Sequence, residues 1–156
     1  MNRKHSLNLL KLACVLTALM GVALFFFVAP AVVMDYASHR EPRFWIDLIY
    51  IWIVGALSFA ALGQAWKICV EIGRDNSFSQ KNARSLFRIC LLALTMAALL
   101  AAGVAALCLL GMGLPALLIA MLGFAAACAL VALLANALSQ LVRRAAAIKS
   151  ENDLTI

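Results

Sequence analysis

Long apolar runs alternate with polar connections along the whole chain, and four of those runs are long enough to cross a bilayer. The first spans residues 12–34, follows Arg3, Lys4 and Lys11, and is interrupted only by Pro30. Its 23 residues exceed the roughly 20 that cover ~30 Å of hydrocarbon. A basic start and Ala29-Pro30-Ala31 imitate a signal peptide, but signal cores run to only about 7–15 residues. An uncleaved helix is therefore expected. The second run covers 44–66, with Trp45 and Trp66 21 positions apart. At ~1.5 Å per residue that is ~31 Å, one hydrocarbon thickness between the two interfaces where tryptophan concentrates. The third run covers 89–110 and the fourth 116–138. Gly111-Met112-Gly113-Leu114-Pro115, a turn without charge, joins them. The pattern predicts an all-α, integral membrane four-helix bundle forming a single domain over 1–156, with a polar loop at 67–88 and a polar tail at 139–156.

The loop has its own punctuation. Gly73 is a helix stop, Asp75-Asn76-Ser77 has turn chemistry, and Ser77 or Ser79 is placed to cap the next helix. The second helix is thus expected to overrun the membrane to about Ile72, and the third to begin in water near Gln80. In the tail, Leu141, Ala145 and Ile148 form an apolar stripe at i, i+4 and i+7. Its expected partners are Ile72, Phe78 and Leu86, which would bring Glu151 and Asp153 near Arg74, Lys81 and Arg84.

Composition strengthens this reading: 66% of residues are hydrophobic and 13% charged, and the mean hydropathy is +1.01. A soluble domain, a disordered chain and a direct nucleic-acid binder are excluded. The net charge of +6 therefore bears on topology. Eleven of the Lys and Arg residues fall in the N-terminus, the loop and the tail; only Arg40 and Arg43 lie on the other side. The positive-inside rule then places both termini and the loop in the cytoplasm, with helical extensions on that side.

The chemistry within the spans is sparse. Asp47 is the only carboxylate there, three residues from the end of its run and placed to pair with Arg43 or Arg40. That argues against a proton-coupled antiporter, which needs a carboxylate deep in the membrane. Cys14, Cys69, Cys90, Cys108 and Cys128 form no CxxC pair, and His5 and His39 are the only histidines, so no metal or cofactor is expected. No catalytic constellation or phosphate loop occurs, and the expectation is a protein that is not an enzyme. Gln64, Asn136 and Gln140 are interhelical polar candidates, as hydrogen-bonding glue or as the wall of a small pocket. Ala98, Ala102 and Ala106, with Ala97, Ala101 and Ala105, and then Gly123, Ala127 and Val131, repeat at four-residue spacing. They are the expected close-packing stripes of an antiparallel hairpin, or else a dimer face.

Ile72-Gly73-Arg74-Asp75-Asn76-Ser77-Phe78-Ser79, followed by Asn82-Ala83 and Leu86, resembles the signature loop of the YoaS-like family, small bacterial membrane proteins with a domain of unknown function. The ending Glu151-Asn152-Asp153-Leu154-Thr155-Ile156 is similar to that family's C-terminus. The resemblance spans the chain and implies an encoded neighbour, a Cro/C1-type helix-turn-helix regulator. The leading functional expectation is a membrane-anchored regulatory or interaction protein whose loop and tail bind a cytosolic partner such as that regulator. Its candidate contacts are Arg74, Asp75, Asn76, Ser77, Phe78, Asn82, Glu151, Asn152 and Asp153. The alternative is a small-molecule-binding or transporter-like membrane protein acting as a homo-oligomer.

Overall fold

The computed structural model describes residues 3–28, 30–31, 34, 44–73, 79–111 and 115–153; side chains are described within 8–148. Every element is helical: α1 (Arg3–Ala23), a π-helical segment (Leu24–Val28), α2 (Phe44–Gly73), α3 (Gln80–Leu109) and α4 (Pro115–Asp153). All four α-helices are long and apolar enough to cross a membrane. The widened turn at Leu24–Val28 comes just before Pro30. A proline lacks the N–H for the i−4 carbonyl and its ring crowds that carbonyl, so the preceding turn loosens.

The ends of the helices follow local chemistry. Ser79 is the N-cap of α3, in extended conformation, and its Oγ accepts from the Asn82 N–H at 3.2 Å. Of the two candidate capping serines, Ser77 lies outside the described residues. Ser79→Ala should destabilise the start of α3 by about 0.5–2 kcal/mol, read as faster amide exchange at residues 80–83 with the span unaffected. At the other end the Leu110 N–H bonds the Ala106 carbonyl at 3.1 Å, and Gly111 follows with φ +62°, the left-handed conformation that ends helices. Pro115 then opens α4, where a missing N–H costs nothing.

Packing runs in chain order. The α3–α4 contact is the most extensive, α2–α3 is next and α1–α2 follows; no other pair of α-helices makes more than slight contact among the described residues. Each interface uses steps of three and four residues, the signature of left-handed, coiled-coil-like packing. On α1 and the π-helical segment after it, the less exposed positions are Lys11, Cys14, Ala18, Gly21 and Phe25. On α4, Leu118, Met121, Ala125, Cys128, Ala132, Ala135, Ser139, Val142 and Ala146 form one unbroken sheltered row. The central helix α3 carries two such rows: Ala83, Leu86, Cys90, Ala93, Ala97 and Leu100, and beside them Asn82, Ser85, Ile89, Leu92, Met96, Leu99 and Gly103.

Size is distributed inside out relative to a soluble core. The buried positions are mostly small, with Cys90, Ala93, Ala132 and Ala135 forming the α3–α4 cluster. Phe26, Phe27, Trp52, Leu94, Phe124 and Leu133 point outward. In water such a surface would drive aggregation; in lipid, close backbone approach is what holds helices together. Two expectations need correction here. Ala98, Ala102 and Ala106 are exposed, as are Ala101, Ala105, Gly123, Ala127 and Val131, so those stripes face outward. Ala97 alone of that set is sheltered, because it falls in the three-and-four row. Likewise Leu141 and Ile148 are exposed, and the tail continues the packed row through Ser139, Val142 and Ala146. A continuous helix keeps its seam on one side, so the interface set up at Ala132 and Ala135 decides which tail residues are sheltered.

Polar groups inside the bundle are few. Tyr50 donates to the Leu99 carbonyl at 2.9 Å, tying α2 to α3. Ser58 donates to the Val54 carbonyl at 2.9 Å and lies 3.9 Å from Met96 Sδ. Thr17 and Thr95 bond carbonyls four residues earlier, at 2.8 and 2.7 Å, which shields their hydroxyls from the apolar surroundings. Cys14 and Cys69, one on α1 and one on α2, approach to 3.8 Å between sulfurs, and both are free thiols. Copper–phenanthroline oxidation of the purified protein should therefore produce an intramolecular disulfide, since a bond needs only a shift to about 2.05 Å. Mass spectrometry should find the 14–69 linked peptide, and Cys69→Ser should abolish it.

Candidate functional site

Polar side chains collect at one end of the molecule, where α2 ends, α3 begins and the second half of α4 runs alongside. Two grooves flank α3 there. The smaller, about 280 Å³, lies between α2 and α3 and is lined by Trp66, Lys67, Val70, Glu71, Lys81, Asn82 and Ser85. The larger, about 440 Å³, lies between α3 and α4 and is lined by Ala83, Arg84, Phe87, Arg88, Asn136, Ser139, Gln140 and Arg143.

Helical spacing builds the larger groove. On α3, Ala83 and Arg84 stand one turn before Phe87 and Arg88; on α4, Asn136, Ser139, Gln140 and Arg143 occupy successive turns of one face. The floor is made by the two small residues. Ser139 Oγ donates to the Ala83 carbonyl at 2.8 Å, and both residues are buried. This bond pins α3 to α4 at the groove, and it spans 56 positions of sequence. Above the floor, Arg84, Phe87, Arg88, Gln140 and Arg143 are exposed and Asn136 is half-buried. Among the described residues three guanidinium groups thus share a groove with two carboxamides and no carboxylate.

The residues singled out from the sequence are distributed unevenly. Asn136 and Gln140 come together in the larger groove, as its wall. The interhelical hydrogen bond on this face of α4 is made by Ser139 instead. Gln64 lies apart from both grooves, and its Oε1 is buried with no hydrogen-bond partner among the described residues. Asn82 is buried, at 3% exposure, in the wall of the smaller groove and at the cap of α3. Arg74, Asp75, Asn76, Ser77 and Phe78 lie outside the described residues. Glu151, Asn152 and Asp153 belong to α4 by backbone, and their side chains are not described. Arg88 and Arg143, two of the eleven basic residues on the loop-and-tail side, and Phe87 enter the site through the fold. A signal existed in Arg84-x-x-x-Arg88 and Asn136-x-x-x-Gln140, each one turn apart, but nothing in the sequence says that the two pairs face each other. Among the described residues no group of three His, Cys, Asp or Glu side chains is placed to hold a metal ion.

Residues 35–156 match the family described as Protein of unknown function (DUF2975). The whole chain also aligns, over 162 positions and with 31% identity, to the full length of the Uncharacterized membrane protein YoaS of Bacillus subtilis (strain 168). The chain belongs to the DUF2975 family. No solved structure matches it. Family membership and four spanning helices together make this DUF2975 protein a multi-pass membrane protein, with the lipid bilayer as its surroundings. The resemblance seen in the loop and C-terminal residues is thereby confirmed at the level of the family. Both grooves and all the groove arginines of the DUF2975 chain lie within the matched region.

Proposed function

We propose that this protein is a membrane-anchored, non-enzymatic interaction protein of the bacterial inner membrane. Both termini, the α2–α3 connection and the tail of α4 lie in the cytoplasm in this reading. There they hold a cytosolic partner such as a small helix-turn-helix regulator. The observation that carries it is the overrun of the helices at one end. α4 alone is 39 residues, ~58 Å, about twice the hydrocarbon thickness. α2 continues seven residues past Trp66, and α3 starts nine residues before the apolar run at Ile89. A bare anchor has no use for three helices projecting together. Eleven of the basic residues belong to the N-terminus, loop and tail in sequence, which supports the cytoplasmic assignment.

Topology is tested by maleimide labelling in a cysteine-less background. Ser38→Cys should react with an impermeant reagent in intact cells, and Ser77→Cys only after permeabilisation. The reverse pattern would overturn the orientation. The partner is tested by a photo-crosslinking side chain at Lys81 or at Arg143. Either should capture a cytosolic regulator, and one placed at Leu109, at the other end, should not. Crosslinks to membrane proteins alone would remove the interaction reading.

A further inference from the structure

The groove between α3 and α4 is strongly basic among the described residues. Among the described residues Arg84, Arg88 and Arg143 line it together, no acidic residue joins them, and none of the three has an ion-pair partner. Like charges converging on one groove are unfavourable unless an anion joins them. Guanidinium forks suit phosphate oxygens bidentately, and Asn136 and Gln140 add neutral donors beside them. The setting narrows the anion. Arg88 immediately precedes the apolar run at Ile89, and Gln140 follows the one ending at Leu138, so the groove sits where hydrocarbon gives way to headgroups. From Phe87 the exposed Leu91, one turn on, and from Gln140 the exposed Leu133, two turns earlier on the same face of α4, continue an apolar surface toward the apolar runs.

We propose that this groove binds the headgroup phosphate of an anionic phospholipid, whose acyl chains lie along α3 and α4. Three cations without a carboxylate select a lipid of net negative charge over a zwitterionic one, whose own ammonium would be repelled. A soluble phosphate compound shares the headgroup chemistry but leaves the apolar flank unused. The site stands independently of any protein partner at the same end, because it is built within one pair of helices.

Native mass spectrometry of the intact protein in detergent, titrated with cardiolipin, phosphatidylglycerol or phosphatidylcholine, tests the assignment. Both anionic lipids should bind at least about tenfold tighter than phosphatidylcholine, and Arg84→Gln and Arg143→Gln should each weaken them about tenfold. Arg144→Gln is the internal control. It removes the same charge from the adjacent, exposed position outside the groove and should have a far smaller effect. Asn136→Leu should weaken binding with no change of charge. Should one arginine variant fail to fold, the other, on the opposite helix, decides. Equal binding of phosphatidylcholine would overturn the proposal. So would a loss with Arg144→Gln as large as with Arg143→Gln, which would indicate diffuse surface charge. Displacement of the lipid by glycerol phosphate or inorganic phosphate at matching concentration would assign the groove to a soluble ligand and overturn the lipid assignment.

Discussion

Gly55→Val is expected to loosen α1 from the bundle, lowering stability by about 1–3 kcal/mol. The cause is direct. A Cβ at residue 55 would meet Phe25 ring atoms at 2.9–3.1 Å, including the ring carbon nearest its own backbone. A flexible tip could swing away, but a ring root moves only with its helix. Phe25 also packs on Phe59, with centroids 6.2 Å apart and planes tilted by 58°, so it has little room to turn. Among the described residues α1 makes appreciable contact with no α-helix but α2. Two readouts follow. Unfolding by SDS in mixed micelles should shift to lower SDS, and oxidative cross-linking of Cys14 to Cys69 should fall in parallel. Gly63→Val, on the same helix, has nothing within 4 Å of its added Cβ and should change neither. Phe25→Leu combined with Gly55→Val should recover part of the loss, a coupling that a double-mutant cycle measures. Full cross-linking in Gly55→Val would refute the account.

The second large effect is expected at Gly103. A Cβ there would lie 2.5 Å from Tyr50 Oη and 2.9 Å from Met121 Cε, so α2 and α4 both close on α3 at this glycine. The Met121 methyl can move at little cost. The Tyr50 ring is rigid, and its hydroxyl is committed to the Leu99 carbonyl, so displacing it breaks the α2–α3 hydrogen bond. Gly103→Val should therefore combine overpacking of about 1–3 kcal/mol with a lost interhelical bond averaging about 0.6 kcal/mol. Tyr50→Phe isolates the second part. Helix propensity alone predicts the opposite sign, because replacing a mid-helix glycine by alanine gains up to about 1 kcal/mol. Gly123→Ala, with open space around the added Cβ, should show that gain or no change. The contrast between positions 103 and 123 in SDS unfolding separates tertiary packing from propensity, and equal effects at both would contradict the packed seam.

These two glycines express one rule of the fold. Inside the membrane the hydrophobic effect does not rank one apolar face of a helix above another. The faces that meet are those that let backbones approach, hence the small buried residues Cys90, Ala93, Ala132 and Ala135 beneath an outer layer of leucine and phenylalanine. The polar end obeys a different rule. There Ser139 joins Ala83 by a hydrogen bond between helices, and the arginines stand clear of the seam.

The linear pattern alone determined the membrane class, the four helices and several of their limits. Run length against bilayer thickness, the interval between Trp45 and Trp66, a serine cap at 77 or 79 and Pro115 are all local or one-dimensional quantities, and the C-terminal glycine at 111 is of the same kind; the structure shows Ser79 as the cap. Family membership was legible for the same reason, in the residues around Asn82-Ala83 and at the chain's end. What only the tertiary structure decided is which side of each helix packs. α3 and α4 carry alanine on every side, so Ala98, Ala102 and Ala106 looked as suitable as Ala83, Cys90 and Ala93, and hydrophobicity could not choose between them. The choice came from shape, as three-and-four steps kept one row in register across two antiparallel helices. The groove depended on that choice. Arg84 and Arg88 are separated from Asn136, Gln140 and Arg143 by roughly fifty residues of sequence. They meet only because the Ser139–Ala83 bond and the small-residue seam bring those turns of α3 and α4 side by side.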